Sequence, residues 1–182
     1  MPNYVLSPPP HGILISKGAV HIAVSRGYVD YVINDHRARD ILQWMNRSCF
    51  IPDESFFTTM NINPHLGVPG SYLGHPETTE IKDTTKPYLA RFKNRQHSRL
   101  HLWECKGEWV RGMCVLSFLD LPFLSKRKEM FANKFHLYEQ PLTFGCLEEM
   151  IYNRTRDEYL GKRKFDASWY SSLGFVKNQV KR

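Results

Sequence analysis

The chain has 182 residues, 42% of them hydrophobic and 13% aromatic, so it can form one domain with a sizeable core. It has no low-complexity run, no apolar stretch near the roughly 20 residues of a membrane span, and no signal-peptide profile at its start. The formal charge of +7 favours an anionic ligand. The cations are dispersed and form no nucleic-acid module, so we expect no nucleic-acid partner and no membrane contact from this segment.

The first part of the chain predicts two short strands followed by two helices. Apolar and β-branched residues fill 12–16 and 19–25, which are typical of strands. Apolar residues then recur with helical spacing over 27–33 and again over 38–45. Both helices are expected to pack on the strands.

A third helix is predicted to begin at Pro52-Asp53-Glu54 and to end at Asn63-Pro64. Proline lacks the spare N–H of a first helical turn, and acidic side chains there meet the positive end of the helix dipole. Residues 64–87 contain four prolines and three glycines and predict a long loop. Loops of that length in compact domains are usually functional.

The second part of the chain predicts strands at 89–92 and 110–116, a short helix at 120–124 and a final helix at 146–152. Strands and helices therefore alternate, and the predicted class is α/β, with a mixed sheet flanked by helices. The sequence beyond about residue 160 is basic and polar, and it predicts a loosely patterned tail.

Glu54 is the first candidate functional residue. An acid in a first helical turn can simply stabilise the helix through its dipole. It can also act as a general base, because a carboxylate beside a long loop can take a proton from a hydroxyl that attacks a substrate. The sequence leaves both interpretations open.

Arg111 and Lys134 are candidates for binding a diphosphate. They can be strand-edge cations whose charged groups lie in water. Alternatively, a guanidinium and an ammonium close together can stabilise a departing diphosphate, as a metal ion does in other enzymes. The chain contains no Asp-x-Asp motif for such an ion and no histidines or cysteines with metal-ligand spacing, so no metal is expected.

The four cysteines and two glycosylation sequons favour an oxidising compartment. A disulfide between Cys105 and Cys114 would close a short loop around Arg111 and contribute roughly 2–3 kcal/mol, although two reduced thiols are the alternative. The sequons make Asn46 and Asn153 candidates for N-glycosylation.

Several motifs of the chain together resemble the core-2/I-branching β-1,6-N-acetylglucosaminyltransferases, glycosyltransferase family 14. They follow in the family's order and at closely similar spacing between about residue 12 and residue 152: Lys17-Gly18-Ala19, Val24-Ser25-Arg26 with Tyr28-Val29, Pro52-Asp53-Glu54 with Thr59, Val68-Pro69-Gly70-Ser71, Arg111 with Cys114-Val115, Asp120-Leu121, Phe131 to Phe135, and Cys146-Leu147-Glu148. The chain departs from the family at Ser117-Phe118-Leu119, where a Gly-x-Gly run is common, and at His136, where an aspartate is common.

The resemblance implies the C-terminal portion of a GT-A-type fold and an inverting, metal-independent transferase. By position, Glu54 looks like the base that activates the acceptor's 6-hydroxyl, and Arg111 and Lys134 look like the pair that holds the UDP diphosphate. Phe92 falls near an aromatic residue that lines the acceptor site. Cys105 and Cys114 look like the family's short-loop disulfide, whereas Cys146 and Cys49 have no evident partner in the chain.

The sequence therefore predicts an extended segment at 1–11, a partial glycosyltransferase domain at 12–160 and a basic tail at 161–182. The expected reaction moves a sugar, GlcNAc or glucose, from a UDP-sugar to an O-glycan acceptor without a cofactor. The expected location is the Golgi lumen, with a type II membrane anchor in the full-length form. A peptide O-xylosyltransferase-like enzyme and a catalytically inert fragment that binds glycans or partners are the alternatives.

Overall fold

A computed structural model describes residues 7–73, 88–96 and 104–181 of the chain. These residues form two compact units. The N-terminal unit consists of residues 7–73 together with 168–181, and the central unit consists of residues 88–96 and 104–167. Within the described residues, no helix combines the length and the apolar character that crossing a membrane requires.

The N-terminal unit is helical. Its helices are α1 (Arg26–Asn34), α2 (His36–Ser48), α3 (Asp53–Ile62), α6 (Ser168–Ser172) and α7 (Gly174–Lys177), with 3₁₀ turns at Pro10–Gly12 and Pro64–Leu66. The predictions of α1, α2 and α3 are confirmed. The buried apolar core of this unit includes Ile13, Tyr28, Tyr31, Ala38, Ile41, Met45, Phe56, Met60, Leu66 and Val68.

Side-chain caps explain why α1 and α2 begin where they do. The Ser25 hydroxyl accepts a hydrogen bond from the Tyr28 amide, and the Asp35 carboxylate accepts one from the Arg37 amide. The Arg37 guanidinium also donates to Asp35, and these bonds hold the pKa of Asp35 at about 2, against an ordinary value of 3.8. Asp35 alone separates the two helices and ends α1 as it starts α2.

The predicted strands at 12–16 and 19–25 are wrong, because the structure has no strand there. The chain from Leu14 to Gly18, here called the 14–18 segment, is instead hydrogen-bonded to α3. The Asn63 side chain accepts from the Leu14 amide and donates to the Leu14 carbonyl, and the Thr59 hydroxyl does the same for Ser16. The backbone groups that a neighbouring strand would satisfy are satisfied by the side chains of Thr59 in α3 and of Asn63 at its C-terminal cap.

The sequence after residue 160 is more ordered than predicted. Besides α6 and α7, residues 178–180 pair with residues 70–73: the Gly70 amide donates to the Val180 carbonyl, and the Leu73 amide donates to the Asn178 carbonyl. Leu173 is buried between the two helices. These helices are only five and four residues long, too short to show a helical period in the sequence.

The central unit combines short strands with helices. Its elements are β1 (Arg91–Phe92), β2 (Glu108–Val110), β3 (Met113–Val115), α4 (Leu121–Leu124), β4 (Phe131–Ala132) and α5 (Pro141–Tyr159), with a 3₁₀ turn at Phe118–Asp120. β1 pairs in parallel with β4, and β2 pairs antiparallel with β3. Backbone bonds from Cys114 to Asn94 and from Leu116 to Lys134 join these pairs. The elements are compatible with the predicted α/β class.

Two predictions in the central unit need correction. The single strand predicted at 110–116 is a hairpin, because the chain reverses at Arg111 and Gly112, both of which have positive φ. The helix predicted at 146–152 is the middle of the 19-residue α5. The predicted strand at 89–92 and helix at 120–124 are found in shortened form as β1 and α4. Most of the predicted loop at 64–87, namely residues 74–87, lies outside the described residues.

Candidate functional site

Glu54 lies in the first turn of α3, as its position after Pro52-Asp53 predicted. Its side chain is 37% exposed, and Oε2 lies 3.0 Å from Nζ of Lys17. Its backbone carbonyl accepts a hydrogen bond from the Gly18 amide at 2.6 Å. The carboxylate is therefore open to solvent on one side, while its backbone is fixed by the 14–18 segment.

Sequence reasoning missed Lys17 as a neighbour of Glu54. In the sequence, Lys17-Gly18-Ala19 is only one of the motifs that carry the family resemblance. The available signal was Gly18: a Cβ atom at this position would lie 1.8 Å from Oγ1 of Thr58. Only glycine permits this close approach of the chain to α3, and the approach brings Lys17 to Glu54.

Arg111 occupies the first central position of the β2–β3 hairpin turn and is exposed. Its φ is 50°, and that of Gly112 is 72°. Positive φ at both central residues fits the right-handed twist of a two-residue hairpin, but arginine is an unusual residue there. The side chain projects from the tip of the hairpin and forms no ion pair with any described residue.

Lys134 follows β4 and is also exposed. Its backbone carbonyl accepts from the Leu116 amide at 2.8 Å, which places it beside the far end of β3. The chain rises about 3.3 Å per residue in a strand, so the backbones of Arg111 and Lys134 are separated by roughly 15 Å along the hairpin. The same unit thus carries both cations, at opposite ends of β3.

The disulfide implied by the resemblance is present. Cys105 and Cys114 are bonded, with their Cα atoms 5.8 Å apart, so the loop that contains Arg111 is closed covalently. The fully buried Asp120 stabilises this loop, because its carboxylate accepts hydrogen bonds from the amides of Lys106 and Ser117. Cys49 and Cys146 form no disulfide.

Phe92 lies in the core of the central unit, with 5% of its surface exposed. Its ring packs edge-on against Phe123, with the two centroids 5.5 Å apart. The Arg127 guanidinium lies over it at 4.8 Å from the ring centroid. The suggested acceptor contact of Phe92 stays a prediction.

The two glycosylation candidates have different surroundings. Asn46 is exposed in the last turn of α2, whereas Asn153 is half-buried in the middle of α5. An oligosaccharide needs an accessible side chain, so the geometry favours Asn46 over Asn153.

In the described part of the chain, no three His, Cys, Asp or Glu residues are grouped to hold a metal ion.

Comparison with known proteins supports the resemblance. The sequence model of the family "Core-2/I-Branching enzyme" matches residues 1–109. The chain is 34% identical over 163 residues to an N-acetyllactosaminide beta-1,6-N-acetylglucosaminyl-transferase of Mus musculus, covering 90% of this chain and 37% of that protein. The Homo sapiens protein of the same name is 32% identical over 164 residues, with the same coverage.

A further relative is a beta-1,3-galactosyl-O-glycosyl-glycoprotein beta-1,6-N-acetylglucosaminyltransferase 4 of Danio rerio, 33% identical over 154 residues. That match covers 84% of this chain and 34% of the relative. The chain thus spans little more than a third of the length of these curated relatives. The family model matches more than half of the chain, and it includes Glu54, Phe92 and Cys105. The chain belongs to the core-2/I-branching enzyme family.

Proposed function

We propose that the chain is part of an inverting glycosyltransferase with a GT-A-type fold, which moves GlcNAc from a UDP-sugar to the 6-hydroxyl of an O-glycan acceptor. The names of the relatives support the transfer of GlcNAc and the β-1,6 linkage. The observation that carries the proposal is the position of Glu54, an accessible carboxylate in the first turn of α3 with a fixed backbone. The proposed location is the Golgi lumen.

The proposed mechanism is a single displacement. Glu54 removes the proton from the acceptor's 6-hydroxyl as its oxygen attacks the anomeric carbon, and the bond from that carbon to the UDP oxygen breaks. Arg111 and Lys134 stabilise the negative charge that the departing diphosphate gains. Because their backbones lie at opposite ends of β3, a diphosphate that contacts both would lie over this strand.

The base assignment predicts the effect of Glu54→Gln in the complete enzyme expressed from its gene. Glutamine keeps the size of the side chain but cannot accept the proton, so transfer should fall by about 10²–10⁴-fold while UDP affinity stays unchanged. Transfer is measured with a radiolabelled donor and UDP affinity by calorimetry.

Asp53→Asn is the matched control, because it removes the same charge from the same helical turn at an exposed position. It should leave transfer close to that of the wild type. Full activity of Glu54→Gln would overturn the base assignment.

Metal independence is a second part of the proposal. If two cations act in place of a metal ion, EDTA should leave the transfer rate unchanged. Lys134→Met removes one of the two charges and should weaken UDP binding about tenfold or more. Loss of activity in EDTA that manganese restores would refute the two-cation mechanism.

The partial coverage of the relatives favours one alternative, a chain that binds glycans or partners without catalysis when it is isolated. Calorimetry with UDP on the 182-residue chain distinguishes the two. Binding supports a working donor site in this part of the protein, and no binding supports the inert alternative.

A further inference from the structure

The ion pair between Lys17 and Glu54 lies at the solvent-accessible end of α3. Nζ of Lys17 and Oε2 of Glu54 are 3.0 Å apart, and the two side chains are 68% and 37% exposed. An exposed pair of this kind contributes little to folding stability, because water screens it and two long side chains lose freedom. Its significance therefore depends on the chemistry of Glu54.

The 14–18 segment holds Lys17 in this position. On one side of Lys17, the Ser16 amide donates to Oγ1 of Thr59 and the Ser16 carbonyl accepts from it. On the other side, the Gly18 amide donates to the Glu54 carbonyl. Since the residues before and after Lys17 are both hydrogen-bonded to α3, the backbone of Lys17 is fixed beside the Glu54 carboxylate.

We propose that Lys17 is a positioning residue for Glu54, an inference that rests on the proposed role of Glu54 as the general base. A carboxylate has two oxygens, and its orientation decides which of them meets the acceptor hydroxyl. The Lys17 ammonium lies 3.0 Å from Oε2, and its attraction for that oxygen favours one orientation of the carboxylate. Oε1 is left to accept the proton from the acceptor.

The proposal predicts a change in turnover rather than in binding. In the complete enzyme, Lys17→Ala should lower kcat about fivefold, the size expected when an exposed ion pair is lost, and leave the acceptor KM within about twofold. Lys17→Arg should restore most of kcat, because the guanidinium keeps a positive charge beside the carboxylate. Lys162→Ala, which removes an equal charge from an exposed position, should leave kcat unchanged.

A double-mutant cycle tests whether Lys17 acts through Glu54. If it does, Lys17→Ala should cause no further loss in a Glu54→Gln background. An unchanged kcat of Lys17→Ala, or the same fold-loss in both backgrounds, would overturn the inference while the base assignment stands. Full activity of Glu54→Gln would instead overturn the base assignment, and this inference with it.

Discussion

The backbone of Arg111 has a φ of 50°, a conformation that glycine and asparagine adopt more readily than arginine. The hairpin turn itself needs this geometry, and Asn-Gly is the sequence that such turns prefer. A residue held in an unfavourable conformation at a site where its side chain is exposed is a mark of function rather than of stability. The strain agrees with the proposed role of the guanidinium in diphosphate binding.

The backbone strain at Arg111 and the proposed role of its side chain predict opposite effects of Arg111→Asn on stability and on ligand binding. Asparagine adopts positive φ with less strain, so the free energy of unfolding should rise by about 0.5–1 kcal/mol. The guanidinium charge is lost at the same time, so UDP affinity should fall about tenfold or more. Urea denaturation and calorimetry measure the two quantities.

Arg163→Asn, at an exposed position outside the hairpin, controls for the lost charge. It should change neither quantity. A less stable Arg111→Asn would contradict the account of the turn, and an unchanged UDP affinity would contradict the role of the guanidinium.

The contact between the 14–18 segment and α3 is possible because the spacing of residues along a helix matches the spacing along an extended chain. Four residues of helix rise about 6 Å, and two residues of extended chain rise about 6.6 Å. Side chains four residues apart, Thr59 and Asn63, can therefore each bond a residue two apart, Ser16 and Leu14. The two side chains are almost fully buried, so these bonds are shielded from water.

Asn63→Ala should therefore destabilise the N-terminal unit by about 1–3 kcal/mol, because it leaves the amide and carbonyl of Leu14 without their partner. Amide exchange at Leu14 should become faster at the same time. Asn34→Ala, at an exposed helix end, is the control and should have little effect on either measurement. Unchanged exchange at Leu14 would show that Asn63 does not hold the segment.

Across the described chain, the sequence predicted the helices better than the strands. α1, α2 and α3 have local signals: a 3.6-residue apolar period, a capping Ser25 or Asp35, and Pro52 at a first turn. The 14–18 segment has strand-like residues, but its bonding partner is the distant α3, which no local pattern reveals. The hairpin was missed because Arg111 occupies a position where a turn residue is expected.

The candidate site was also predictable only in part. The placement of Glu54 at a helix start followed from its neighbours in sequence, and the Cys105–Cys114 disulfide followed from the resemblance. The pairing of Lys17 with Glu54 depends on a tertiary contact, and its sign in the sequence is Gly18, which permits the close approach to α3. Each compact unit carries part of the proposed machinery: the N-terminal unit has the candidate base, and the central unit has the two cations.

The contact between the 14–18 segment and α3 also has a consequence for the order of folding. Its side-chain hydrogen bonds join residues 43 and 49 positions apart, and α1 and α2 lie between them. Bringing such distant residues together has an entropic cost that short-range helix formation does not have. We expect the helices to form first and the 14–18 segment to join α3 late, so that Lys17 reaches Glu54 only as this unit completes its folding.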